Sequence, residues 1–157
     1  FYQKISKDTA FLKGIFSIDR DVPKPRKDIA KWADTIEFTN YFYNRPTVSL
    51  PENMDKEDAI KLIDRYIEIY KEEATQSDWF NSLKTICPVA GYCADTKEYR
   101  QNPDAFKGSV ADVSTLIRLC ITGRKNSPDL YSIMLLIGKD ETIFRLNAAK
   151  AFIKENF

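Results

Sequence analysis

Ser109-Val110-Ala111-Asp112-Val113-Ser114-Thr115-Leu116-Ile117-Arg118-Leu119-Cys120-Ile121-Thr122-Gly123 carries the strongest periodic signal in the chain. Val110, Val113, Leu116, Ile117 and Cys120 recur at the spacing that lines up side chains on one face of an α-helix. Thr122-Gly123 stops the pattern, because glycine enters the left-handed region that closes a helix without a Cβ clash. A loop follows, Arg124 to Asn126. Ser127-Pro128 predicts a new start, the serine as N-cap and the proline at the first helical position, where its missing N–H is not needed. Leu130 to Ile137 then fill a short apolar helix, Gly138 ends it, and Asp140 caps a final amphipathic helix through Phe152.

Working upstream, the segment Asp95 to Gly108 is polar, spiked with aromatics and broken at Asn102-Pro103, which predicts a short helix and a loop. Trp79, Phe80, Leu83, Ile86, Cys87 and Ala90 predict a helix from Ser77 or Asp78 that bends at Pro88. Asp55 caps another, lined by Ala59, Ile60, Ile63, Ile67, Tyr70 and Ala74 and expected to run to Ala74. Ile29, Trp32, Ala33, Ile36, Thr39, Asn40 and Tyr43 predict a helix from Lys27 to Tyr43, preceded by the proline-extended stretch Asp21 to Arg26 and by an amphipathic piece, Asp8 to Phe16. Tyr41-Phe42-Tyr43 and Ile117 to Ile121 have β-forming composition, yet both sit inside longer helical periods. The expected fold class is all-α: a helical bundle or cage of short helices in two subdomains, 1–106 and 107–157.

Composition agrees with a folded domain and narrows its chemistry. The 157 residues are 43% apolar and 30% charged, with 5 Gly and 7 Pro. The longest apolar run, Ile133 to Ile137, is far below the roughly 20 residues of a membrane span, so no membrane partner is expected. Cys87, Cys93 and Cys120 are too few, and odd in number, for a disulfide framework, which makes a reducing, cytoplasmic setting the default. With no histidine the usual general base near neutral pH is absent. The chain opens on Phe1 with no charged leader, and reads as a piece of a longer polypeptide.

The net charge of +1 conceals an asymmetry: residues 1–106 hold 16 Lys+Arg against 18 Asp+Glu, and residues 107–157 hold 8 against 5. The five glycines are isolated and form no phosphate loop. Glu57-Asp58 and Glu72-Glu73 fall on helix faces expected to be exposed, where capping is commoner than acid/base work. Cys87 and Cys93, six apart with no ligand between, read as buried thiols rather than a metal pair. No catalytic site and no metal site is expected.

What stands out is Arg118, Thr122, Gly123, Arg124, Lys125, Asn126, Ser127, Pro128 and Leu130, where a helix end, a loop and a helix start gather cations and free backbone N–H groups. A helix start suits phosphate or base-edge acceptors, and a guanidinium forks onto them or stacks on a base, which is how unpaired RNA is read. Arg118 and the Ser127 helix start would read bases, and Arg124, Lys125 and Lys139 would meet phosphates. The same residues also suit an ordinary turn between two helices. A second function class, a helical protein-interaction module, rests on an aromatic groove of Trp32, Tyr41, Phe42, Tyr66 and Tyr70.

Val113 to Gly123, then Ser127-Pro128-Asp129-Leu130, then Gly138-Lys139 and Arg145-Leu146, resemble in order and spacing the anticodon-binding region of bacterial glutamyl-tRNA synthetases. A weaker likeness continues upstream through Trp79 and Tyr41-Phe42-Tyr43 to Pro25-Arg26-Lys27-Asp28-Ile29. The resemblance implies an all-helical cage for the tRNA anticodon in a class I ligase whose ATP- and magnesium-dependent half, with its histidine motif, lies outside this sequence. It implies that Arg118 contacts the anticodon, that Ser127 and Pro128 stand beside it, and that Leu130 makes an apolar contact to a base. It also implies a second arginine reading the third anticodon base. Arg26 is the nearest candidate, although the spacing to Tyr41-Phe42-Tyr43 is about two residues longer than in relatives, which puts Asp28 in that place. The expected partner is tRNA(Glu), with tRNA(Gln) also accepted if no arginine holds that position, and the expected state is a monomer with no cofactor of its own.

Overall fold

The computed structural model describes residues 8–72 and 75–157. Eight α-helices follow one another among them: α1 Thr9–Ser17, α2 Trp32–Tyr43, α3 Lys56–Ile69, α4 Gln76–Ile86, α5 Thr96–Gln101, α6 Val110–Thr122, α7 Leu130–Ile137 and α8 Lys139–Asn156. Single 3-10 turns, Cys87–Ala90 and Pro103–Ala105, follow α4 and α5, each with proline in its first turn. The expected all-α class holds. Extended pairing among the described residues is confined to one parallel bridge between Cys93 and Ser109, and no helix is long and apolar enough to cross a membrane.

Short polar side chains set most of the helix starts. Asp8, Asp55, Thr75, Asp95, Ser109 and Asp129 each accept a backbone N–H of the first turn that follows, which satisfies a donor that has no partner within the helix. At α6 the box is reciprocal: the Ser109 N–H donates to the Asp112 carboxylate at 2.7 Å.

Several boundaries differ from the sequence reading, and four of them shape the fold around the site. The second helix begins at Trp32 rather than Lys27, because the Asp34 carboxylate accepts the N–H groups of Ala30 and Lys31, both at 3.0 Å, and turns the chain there. The third ends at Ile69, where Tyr70 goes extended; the expected end, Ala74, lies outside the described residues. Ser127 does not cap α7. Asp129 does, its carboxylate accepting the Ser132 N–H at 2.8 Å, while Ser127 is turned onto another element. Finally, α8 starts from Gly138 rather than Asp140, and the Glu72 carboxylate accepts the Lys139 N–H at 2.9 Å.

One buried cluster runs from Ile15 to Ile153 and draws on both sides of residue 106. Its centre is the packing of α3 on α8, with α6 against α8 and α4 closing the flank. Leu62, Ile63, Leu83, Ile86, Leu116, Ile117, Ile121 and Leu146 are fully buried there, each contributing about 1.5–3 kcal/mol over an exposed position. The Tyr66 hydroxyl crosses the core, accepting the Trp79 indole N–H at 2.8 Å and pointing to the Met134 sulfur at 3.8 Å. Asp58, expected on an open face, is buried instead and takes the Lys107 ammonium at 2.6 Å, since the carboxylate faces the 107–109 segment that enters α6.

Candidate nucleic-acid interface

The stretch between α1 and α2, expected to be extended by its prolines, instead turns at residues 18–20 and bends through 21–24, and it is tied to the α6–α7 turn, a hundred residues away in sequence. The Asp19 carboxylate accepts the Asp129 N–H at 2.9 Å, and Asp19 sits at φ 58° to do so. Arg20 donates to the carbonyls of Phe16 and Arg26, both at 3.2 Å. Arg26 grips Asp28 with two N–H groups at 2.7 Å, and its remaining edge reaches the Asn126 side-chain oxygen at 3.3 and 3.4 Å. The paired guanidinium holds the Asp28 carboxyl below its ordinary pKa.

Across the turn, Arg118 projects from α6 and donates through Nη1 to the Pro128 carbonyl at 2.9 Å, to the Ser127 carbonyl at 3.2 Å and to the Ser127 hydroxyl. Its other nitrogens meet no acceptor among the described residues. Burial lowers its pKa from the ordinary arginine value, helped by Arg26 and opposed by Asp129, yet a guanidinium stays charged at any working pH. Gly123 makes the geometry possible. It takes φ 68°, and its missing Cβ leaves room for Pro46 and Thr47, so α6 reverses tightly enough for Arg118 to see the turn that follows it.

A cleft of about 350 Å³ opens where these parts meet, lined by Arg26, Asp28, Arg124, Asn126, Ser127 and Pro128 on one side and by Asp34, Glu37, Phe38 and Tyr41 of α2 on the other. Arg124 donates to the Glu37 carbonyl at 2.9 Å and its carboxylate at 3.0 Å, with the guanidinium 5.7 Å from the Tyr41 ring centre. The Tyr41 hydroxyl is buried without a hydrogen-bond partner, and desolvation raises its pKa.

Residues 96–150 match the family model described as an anticodon binding domain. The glutamate–tRNA ligase of Clostridium perfringens (strain 13) is 36% identical over 146 residues, covering 88% of this chain and 27% of that protein. Those of Clostridium beijerinckii and Acetivibrio thermocellus are 37% and 38% identical, covering 90% and 84% of this chain and 27% and 25% of theirs. The chain is an anticodon-binding region of the glutamate–tRNA ligase family. It spans about a quarter of the length of the curated relatives it matches.

Within this ligase-family region the structure gathers Arg26, Arg124, Ser127 and Pro128 on one cleft, with Arg118 bracing its wall. Lys125 is turned to Glu52 and lines a neighbouring hollow with Tyr99 and Lys107. Lys139 lines a third depression, beside Glu68, Tyr70 and Trp79, and is not brought to the cleft. Leu130 is 1% exposed, so its side chain supports the turn from the core. Glu37 and Asp34 on α2 escaped the sequence reading, and Tyr41 entered it only as an aromatic residue, because nothing local ties them to residue 124; the Arg45-Pro46 break after α2 is the one signal. The aromatic groove of the interaction-module reading does not form, since Tyr41, Phe42 and Tyr66 are core residues while Trp32 is 90% exposed. No group of three or more His, Cys, Asp or Glu among the described residues converges to hold a metal ion.

Proposed function

We propose that this chain receives the anticodon loop of tRNA(Glu) for a glutamate–tRNA ligase, the ATP-dependent chemistry lying in other parts of the parent protein. The observation that carries this reading is the meeting of Arg26, Arg124 and the Ser127-Pro128 turn held by Arg118 around one nucleotide-sized cleft. Arg118 keeps donors free for a base edge, Ser127 and Pro128 shape the wall, and Leu130 anchors the turn from beneath. Arg124 and Lys125, each now resting on an exposed glutamate, exchange that carboxylate for a phosphate; Lys139 serves as a peripheral phosphate contact. Asp28, Asp34 and Glu37 repel polyanions that bring no matching base, so the cleft favours selective over general RNA binding.

Fluorescence titration of the chain with tRNA(Glu) and tRNA(Gln) anticodon stem-loops and a scrambled loop, at two salt concentrations, tests this. Cognate loops should bind tightest and weaken steeply with salt. Equal binding of all three would remove the reading. Binding of the glutamine loop as well would place Arg26, which Asp28 occupies, outside strict discrimination.

A further inference from the structure

We infer that the base-reading group at the Arg26 end of the cleft is the carboxamide of Asn126, with Arg26 as its positioning residue. The inference rests on the anticodon-binding reading above. Arg26 is heavily committed: its Nε and Nη2 hold the two Asp28 oxygens at 2.7 Å, and Nη2 and Nη1 reach the Asn126 Oδ1 at 3.3 and 3.4 Å. Four of the five guanidinium N–H groups are thus engaged, leaving one on Nη1, and a planar fork onto a base is no longer available.

The same contacts settle the orientation of Asn126. A guanidinium has donors only, so the atom facing it is the amide oxygen and the NH₂ points away from Arg26. Among the described residues that NH₂ has no acceptor, and Asn126 lines the cleft. Two donors of fixed polarity therefore stand where a base carbonyl or ring nitrogen could accept them. Opposite, the orphaned Tyr41 hydroxyl is a further polar group that gains from a bound acceptor.

The experiment titrates the chain and its Asn126→Ala, Asn126→Asp and Arg26→Ala variants with the tRNA(Glu) anticodon stem-loop and every single-base variant of the anticodon. Asn126 is exposed, so its variants fold, and circular dichroism checks the set. Asn126→Ala should lose discrimination at one anticodon position by about tenfold and keep it at the other two. Asn126→Asp, now an acceptor, should invert the preference there toward a base with an amino group. Arg26→Ala should give a smaller loss at that same position, and the double variant should be non-additive. Unchanged discrimination in Asn126→Ala while the unmodified chain still selects its loop overturns the inference alone. So does an equal loss for every loop, which marks a phosphate contact. If the unmodified chain does not prefer the anticodon loop to a scrambled one, the inference and the function both fall.

Discussion

Arg145 Nη1 donates to the Tyr41 carbonyl at 2.7 Å and so joins α8 to α2 across more than a hundred residues of sequence. The same nitrogen reaches the Ile121 carbonyl at 2.7 Å, and Nε holds Glu141 at 2.7 Å. This buried side chain fixes three helices at the cleft's base. Arg145→Ala strands two carbonyls and leaves a void, and is expected to cost about 3–5 kcal/mol, the scale for removing one partner of a buried charged network. Urea unfolding measures it. A loss below 1 kcal/mol would show that water replaces the guanidinium freely.

Gly123 gives a second prediction. A Cβ there would lie 2.7 Å from the Pro46 Cβ and 2.9 Å from the Thr47 carbonyl oxygen, at φ 68°. Steric conflict and backbone strain add, so Gly123→Ala should destabilise by about 1–3 kcal/mol. Because residue 123 aims the 124–128 turn, stem-loop affinity should fall even at temperatures where the variant is fully folded. Parallel unfolding and titration curves separate the two effects, and an unaltered affinity would detach the turn from RNA binding.

Much of this fold was legible because its helices begin and end on local chemistry. Gly123 and Gly138 act within four residues of themselves and close their helices as the sequence reading expects, and Ser109 caps α6 just where its periodic run begins. Ser127 misled for a nonlocal reason: its hydroxyl suits a cap, but Arg118, nine residues earlier and on another helix, takes it. The cleft was half legible for the same reason. Its α6–α7 side is contiguous in sequence, whereas Glu37, Tyr41 and the Asp19–Asp129 tie depend on packing that no local pattern encodes.

The thiols supply a pH prediction. Burial pushes Cys87 up to about 11 and Cys120 up to about 12, from an ordinary 9.0. Above pH 9 the unfolded chain releases protons that the folded chain retains, so the unfolded state binds fewer and stability falls as pH rises. The contribution is fully present below about pH 9 and drains away toward pH 11–12. Urea midpoints between pH 8 and 11 should therefore decline, with a shallower slope in Cys120→Ala. Thiol reagents at pH 8 should label none of the three buried cysteines, Cys93 included, until urea is added; rapid native labelling would contradict their burial.

Arg118 and Lys125 separate reading from holding. Arg118 keeps nitrogens without acceptors beside the cleft while Nη1 braces Ser127 and Pro128, so Arg118→Ala removes both a donor and the wall's support. Binding to the cognate stem-loop should weaken by about 1–3 kcal/mol, with cognate and scrambled loops brought closer together. Lys125 instead rests on Glu52 in the neighbouring hollow and meets no base in the proposed complex. Lys125→Ala should weaken every loop alike and reduce the slope of log affinity against log salt by about 0.7, one single-stranded phosphate. Glu52→Gln should do the reverse, freeing the ammonium and tightening all loops at low salt. If Arg118→Ala flattens the salt slope while leaving base preference intact, the two side chains have the opposite roles, and base reading belongs to the Arg26–Asn126 end of the cleft.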